Sequence, residues 1–143
     1  MERRFVLTHQ TEVTVRFNEA DPLGIVWHGH YLRYFEDGRE AFGRVHGISY
    51  LDCYNHGFAV PVVSVHCNYA SPLRYGDNVI VETTYVNTAA AKLTFDYRIL
   101  EAKSGKPVAT GSSVQVFVDA KSFTLQLTVP PFIAAWKKSN NLI

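Results

Sequence analysis

The chain has 143 residues, 47% of them hydrophobic and 19% charged, and its net charge is +1. That length and balance describe one soluble globular domain over residues 1–143, long enough to bury its own core. With no basic run there is no footing for nucleic acid, and no apolar run approaches the roughly 18 residues that cross a membrane.

Met1-Glu2-Arg3-Arg4 opens no signal-peptide pattern, so a cytoplasmic setting without membrane insertion is expected. Cys53 and Cys67 form no CxxC pair and read as buried free thiols in a reducing compartment. Residues 12–17 alternate polar and apolar, which predicts a half-buried strand. A turn-rich stretch from Asn18 to about Gly29 follows. Apolar positions Tyr31, Phe35, Gly38, Phe42 and Val45, widened by Leu32, Tyr34 and Ala41, then recur at helical spacing. They predict a helix over 31–46 that ends at Gly47, where a left-handed cap belongs. Glu36 and Arg39 are three residues apart on it, a spacing that allows them to pair on its surface.

Beyond residue 58 the period changes to two. Strands are predicted over 63–69, 78–83, 93–99 and 108–118, with turns at Gly76-Asp77 and Ser104-Gly105-Lys106-Pro107. Residues 123–127 suit a short edge strand, and Pro130-Pro131 opens a last helix reaching Trp136. Strand, long helix, then a run of antiparallel strands is an α+β order. One curved sheet around the long helix is the economical way to cover so broad an apolar face.

The segment Asp21-Pro22-Leu23-Gly24-Ile25-Val26-Trp27-His28-Gly29-His30-Tyr31 joins the first strand to that helix. Asp-Pro-Leu-Gly suits a type I turn by composition, so a turn-forming role for Asp21 stands beside a chemical one. Loops at helix starts bring unpaired amides to a site where negative charge develops. His28 and His30 form His-x-His, but a metal reading needs a third ligand, with Asp21 the nearest carboxylate.

The run Asp-x-x-Gly-Ile-Val-x-His-x-x-Tyr-Leu-x-Tyr-Phe-Glu, with Pro72-Leu73-Arg74-Tyr75-Gly76-Asp77 and the strand motifs at 108–111 and 114–119, resembles the 4-hydroxybenzoyl-CoA thioesterase-like hotdog family. The bacterial thioesterases associated with the Tol-Pal system are especially similar, and the similarity runs from about residue 10 to 133. The resemblance implies a hotdog fold and an acyl-CoA thioesterase that hydrolyses a small acyl- or aroyl-CoA to free acid and CoA. It implies a homodimer or homotetramer with sites between subunits, and neither a cofactor nor a metal. Asp21 takes the position of the family's carboxylate nucleophile or general base. The carbonyl-polarising amide falls on His28, seven residues on, and the His28 side chain is a further catalytic candidate. Tyr31, Trp27 and Gly29 are the substrate-binding candidates. Many members carry Thr before the Asp; this chain has Ala20, which puts substrate range and rate in question more than reaction class.

Glu36 is a secondary candidate, since another hotdog branch uses a helix carboxylate. Lys92, Arg98, Lys103, Lys106 and Lys121 are available to the phosphates of CoA. His46, His56 and His66 are isolated and read as structural or exposed. Two other readings stand beside hydrolysis. A hotdog hydratase or dehydratase would call for a differently placed His with an acidic partner. An acyl-CoA-binding protein would hold the ligand without turnover.

Overall fold

The period-two alternation becomes a five-stranded antiparallel sheet in a computed structural model that describes residues 7–143. Its strands are β1 (Thr8–Thr14), β3 (Val62–Tyr69), β4 (Asn78–Val86), β5 (Lys92–Glu101) and β6 (Pro107–Val116), in spatial order β1-β4-β5-β6-β3. A small second sheet pairs β2 (Phe58–Ala59) with β7 (Val118–Asp119). Three helices complete the fold: α1 (His30–His46), α2 (Tyr50–Asn55) and α3 (Pro131–Ser139). The Met1-Glu2-Arg3-Arg4 segment lies outside the described residues. Among those described, no helix is long and apolar enough to cross a membrane.

The expected arrangement of one curved sheet around one long helix is the one observed. Alternate residues of the central strands, Val79, Val81 and Thr83 on β4 and Leu93, Phe95, Tyr97 and Ile99 on β5, form a buried face. Against it α1 buries Tyr31, Tyr34, Phe35, Gly38, Arg39, Phe42 and Gly43. Each large side chain so buried contributes roughly 1.5–3 kcal/mol. Two glycines set how closely helix and sheet approach. A Cβ on Gly38 would lie 2.5 Å from Thr83 Oγ1, and one on Gly111 of β6 would lie 2.3 Å from the His66 carbonyl and 2.4 Å from the Phe35 ring. α1 ends as expected at Gly47, with φ 82°.

Several sequence expectations are corrected. Arg39 does not pair with Glu36 on the helix surface; it is 1% exposed, while Glu36 is exposed. The Arg39 Nε donates to Gln115 Oε1 at 2.8 Å and Nη2 to the Ile48 carbonyl at 3.0 Å, with the guanidinium 4.5 Å from the Phe95 ring centroid. Val45 belongs to the outer face, at 61% exposed. The first strand runs earlier than 12–17. It leaves the ladder after Thr14 because the chain folds into a 3-10 turn at Phe17–Glu19, where the Glu19 carboxylate accepts from the Arg16 N–H at 2.7 Å. Residues 123–127 make only a single bridge, Val118 to Leu125, because Phe123 turns through φ 57° and Asp119 ties the amides of Lys121 and Ser122. The long final strand divides at Phe117 into β6 and β7. α2 had not been expected; Ser49 and Asp52 cap its start reciprocally. Cys53 is buried and Cys67 half-buried, both free, and burial pushes the Cys53 thiol up to about 11, an inert thiol at neutral pH.

The close seating of α1 on β6 gives a direct test. Gly111→Val forces side-chain atoms into a backbone carbonyl and the Phe35 ring, so it is expected to lower stability by about 2–3 kcal/mol, read as a fall in the urea midpoint at unchanged slope.

Candidate active site

The loop between β1 and α1 is held at both ends. The Glu19 carboxylate, 3% exposed, caps Arg16 and lies 3.5 Å from Arg33 Nη1 on the first turns of α1. The Glu19 carbonyl accepts from the Trp27 N–H at 3.2 Å, Ala20 bridges Val26, and the Asp21 N–H donates to the Ile25 carbonyl at 2.8 Å. The Val26 N–H then donates to the Leu73 carbonyl at 2.8 Å, fastening the loop to the segment after β3. Residues 20–26 therefore form a tight loop whose ends cannot drift apart.

Asp21 does form the turn that its composition suggests. The Asp21 carbonyl accepts from the Gly24 N–H at 2.9 Å, and Oδ1 accepts from the Leu23 N–H at 2.8 Å. That local bond uses one carboxylate oxygen. Oδ2 has no partner among the described residues and is available to a ligand or water.

Beside it lies a cleft of about 440 Å³, walled by Asp21, Leu23, Ile25, Val26, His28, Tyr31 and Tyr69 and by Ala70, Ser71 and Pro72 after β3. Three of the sequence candidates, Asp21, His28 and Tyr31, thus share one cavity. Trp27 and Gly29 lie outside its walls. The Trp27 ring is half-exposed and packs against Gly29, with its centroid 5.0 Å from that of His28. The His28 side chain is exposed and makes no hydrogen bond among the described residues.

The start of α1 supplies donors. The His30 N–H goes to the Trp27 carbonyl at 2.9 Å and the Tyr31 N–H to the His28 carbonyl at 3.4 Å. The N–H groups of His28 and Gly29 are left with no acceptor among the described residues, the expected state of amides ahead of a helix. Tyr31 is buried, and its hydroxyl bridges the next loop, accepting from the Leu73 N–H at 3.2 Å and lying 3.5 Å from the Ser71 carbonyl. Burial raises its phenol, which stays protonated at neutral pH. Tyr69, which sequence reasoning missed, donates from its hydroxyl to the His28 carbonyl at 2.7 Å. Its position on a strand registered it only as an alternation member, and the partner is 41 residues away.

A larger concavity, about 690 Å³, opens between β1 and α1 beside Arg16, Arg33 and Asp37, but it holds neither Asp21 nor the free amides. The smaller cleft is therefore the candidate site. Of the cations available to phosphate, Arg98 is paired with Glu82 at 2.8 Å. Lys103 and Lys106 line a recess of about 320 Å³ that shares Ser71 and Pro72 with the Asp21 cleft. Among the described residues, no three His, Cys, Asp or Glu side chains converge as a metal site would require. His46 packs on Phe42 and His56 stacks on Phe132, both structural placements.

A family model described as Thioesterase-like superfamily matches residues 15–137. The putative acyl-CoA thioesterase YneP of Bacillus subtilis is 34% identical over 112 residues, 78% of this chain and 80% of that one. A crystal structure of the DHNA-CoA thioesterase of Staphylococcus aureus matches with a TM-score of 0.83 at 27% identity, covering 94% of this chain and 92% of that chain. A 4-hydroxybenzoyl-CoA thioesterase variant solved with 4-hydroxybenzoyl-CoA matches with a TM-score of 0.78 over 91% of this chain and 98% of that one. At 18% identity that last likeness is one of fold.

The bridge through Tyr31 yields a prediction about the cleft wall. Tyr31→Phe strands the buried Leu73 N–H without an acceptor and is expected to lower stability by about 1–2 kcal/mol, measured by urea denaturation.

Proposed function

The chain belongs to the Thioesterase-like superfamily and hydrolyses CoA thioesters, and on that premise we propose that Asp21 carries the reaction in the cleft at the start of α1. The observation that supports this most is the junction itself: a carboxylate with a free oxygen and His28, whose amide is unpaired, meet at one cavity. The thioester carbonyl lies against the amide of His28, or that of Gly29, and these donors stabilise the oxyanion as the carbonyl carbon becomes tetrahedral. A preoriented donor of this kind contributes about 3 kcal/mol to the transition state. Asp21 either takes a proton from the attacking water or attacks directly and forms a mixed anhydride that water then opens. Both routes consume one water and release the acid and free CoA. The substrate is a small acyl- or aroyl-CoA, in keeping with the acyl-CoA and DHNA-CoA thioesterases among the similar proteins. His28, which lines the cleft beside Asp21, is a second candidate for proton transfer. A cytoplasmic setting belongs to the same proposal.

The working unit is a homodimer or a larger homo-oligomer built from it. β3 is an edge strand, paired with β6 on one side only, and Val62, Val63 and Val65 are all exposed along it. A long apolar edge is a template for another strand, and a second copy of β3 joins two sheets into one. Because β3 runs straight into the cleft wall at Tyr69 to Pro72, that pairing also brings the partner to the site. Light scattering at micromolar concentration is expected to give a dimer or a multiple of it; a monomer contradicts this assembly.

Asp21→Asn tests the chemistry. Asn keeps the turn-forming ability and loses the charge. The variant is expected to fold with an unchanged melting temperature, to bind acyl-CoA, and to lose at least about 100-fold in turnover. Release of free CoA, followed with a thiol-reactive reporter, is the measurement, and it also separates hydrolysis from hydration or simple binding. A folded and fully active Asn variant removes Asp21 from the mechanism.

A further inference from the structure

The amides at the start of α1 are held by two different means. The Trp27 carbonyl is tied within the helix start, by the His30 N–H at 2.9 Å. The His28 carbonyl receives a weak bond of the same local kind from the Tyr31 N–H at 3.4 Å. It also receives a short bond from outside the helix, the Tyr69 hydroxyl at 2.7 Å. In a trans peptide the carbonyl and the next N–H point in opposite directions. Fixing the His28 carbonyl therefore fixes where the Gly29 N–H points. With the Trp27 carbonyl also tied, neither peptide that flanks His28 is free to rotate.

Tyr69 has no need of this bond for its own sake. Its side chain is half-exposed on the edge strand, where water would serve the hydroxyl equally well. Its ring is oriented by the site instead, edge-on to Tyr31 at 4.8 Å between centroids and to His28 at 6.4 Å. It also forms part of the cleft wall.

We infer that Tyr69 is a positioning residue, whose hydroxyl holds the peptide after His28 while the bond to the Trp27 carbonyl holds the one before it, so that the free His28 amide faces the thioester carbonyl. This rests on the reading of the Asp21 cleft as the site of hydrolysis. Oxyanion stabilisation depends on donors that are already oriented when charge develops. Loss of the brace therefore lowers the chemical step while leaving substrate binding nearly intact, a change in kcat without one in KM.

The test uses the full chain as wild type, Tyr69→Phe and Asp21→Asn, with benzoyl-CoA and lauroyl-CoA as substrates. Phe keeps the ring contacts and removes only the hydroxyl. Tyr69→Phe is expected to lose about tenfold in kcat, the equivalent of about 1.4 kcal/mol, with KM and melting temperature unchanged. Hydrogen exchange at the amides of residues 27–31 is expected to quicken in the same variant. Unchanged kcat and unchanged exchange in Tyr69→Phe, with Asp21→Asn inactive, overturn the inference and leave the Asp21 reading standing. A parallel fall of kcat and melting temperature makes Tyr69 a structural residue and overturns it too. An active Asp21→Asn overturns the reading of the site itself, and the inference for Tyr69 with it.

Discussion

A helix cannot satisfy its own first amides, and in this protein the seating of α1 decides where those amides point. α1 is set in depth by Gly38 and Gly111 and held in rotation by the buried Arg39, whose guanidinium donates to Gln115 and to the Ile48 carbonyl. Rolling the helix by a few residues would strand that charge in the core, a costly outcome for any buried cation. The amides of His28 and Gly29 inherit this rigidity. His28 lines the cleft, and Gly29 follows it directly at the start of the helix.

The loop before the helix completes the arrangement. Glu19 anchors it from beneath through Arg16 and Arg33, the Ala20–Val26 bridge closes it, and the Asx turn of Asp21 aims the carboxylate. The two readings of Asp21, turn former and reactive group, are thus not rivals. The turn uses Oδ1 and leaves Oδ2 without a partner among the described residues, so shaping the loop does not use up the carboxylate. Ala20, where many relatives of the resembled family carry Thr, packs at the bridge to Val26 and adds no side-chain hydrogen bond there.

What the sequence made legible was whatever depends on local period and local chemistry. The α1 stripe, the alternating strands, the Gly47 cap and the Asp-Pro-Leu-Gly turn all announce themselves within a few residues. What it hid depends on partners far away in the chain. Arg39 looked like a surface charge because its acceptor, Gln115, is 76 residues distant. Tyr69 looked like one more alternating residue because its carbonyl partner lies across the cleft. Glu19 looked like loop polarity, yet it is buried beneath the loop that carries the site. α2 escaped notice because six residues are too few for a visible period, although its Ser49–Asp52 cap was present to be read. Val45 was misassigned because the buried face passes from Phe42 and Gly43 to His46, which packs on Phe42, and leaves Val45 beside it on the outer side.

The proposed chemistry depends on the free amides at the start of α1 polarising the thioester carbonyl. Infrared difference spectroscopy tests this directly, with a ¹³C label at the thioester carbonyl of a benzoyl-CoA bound to the Asp21→Asn variant, where the substrate persists. The account predicts that the carbonyl stretch moves to lower frequency on binding than in water, as donors to its oxygen weaken the double bond. A bound carbonyl that absorbs at its solution frequency or above would contradict it, since the thioester would then be held in the cleft without meeting the helix amides.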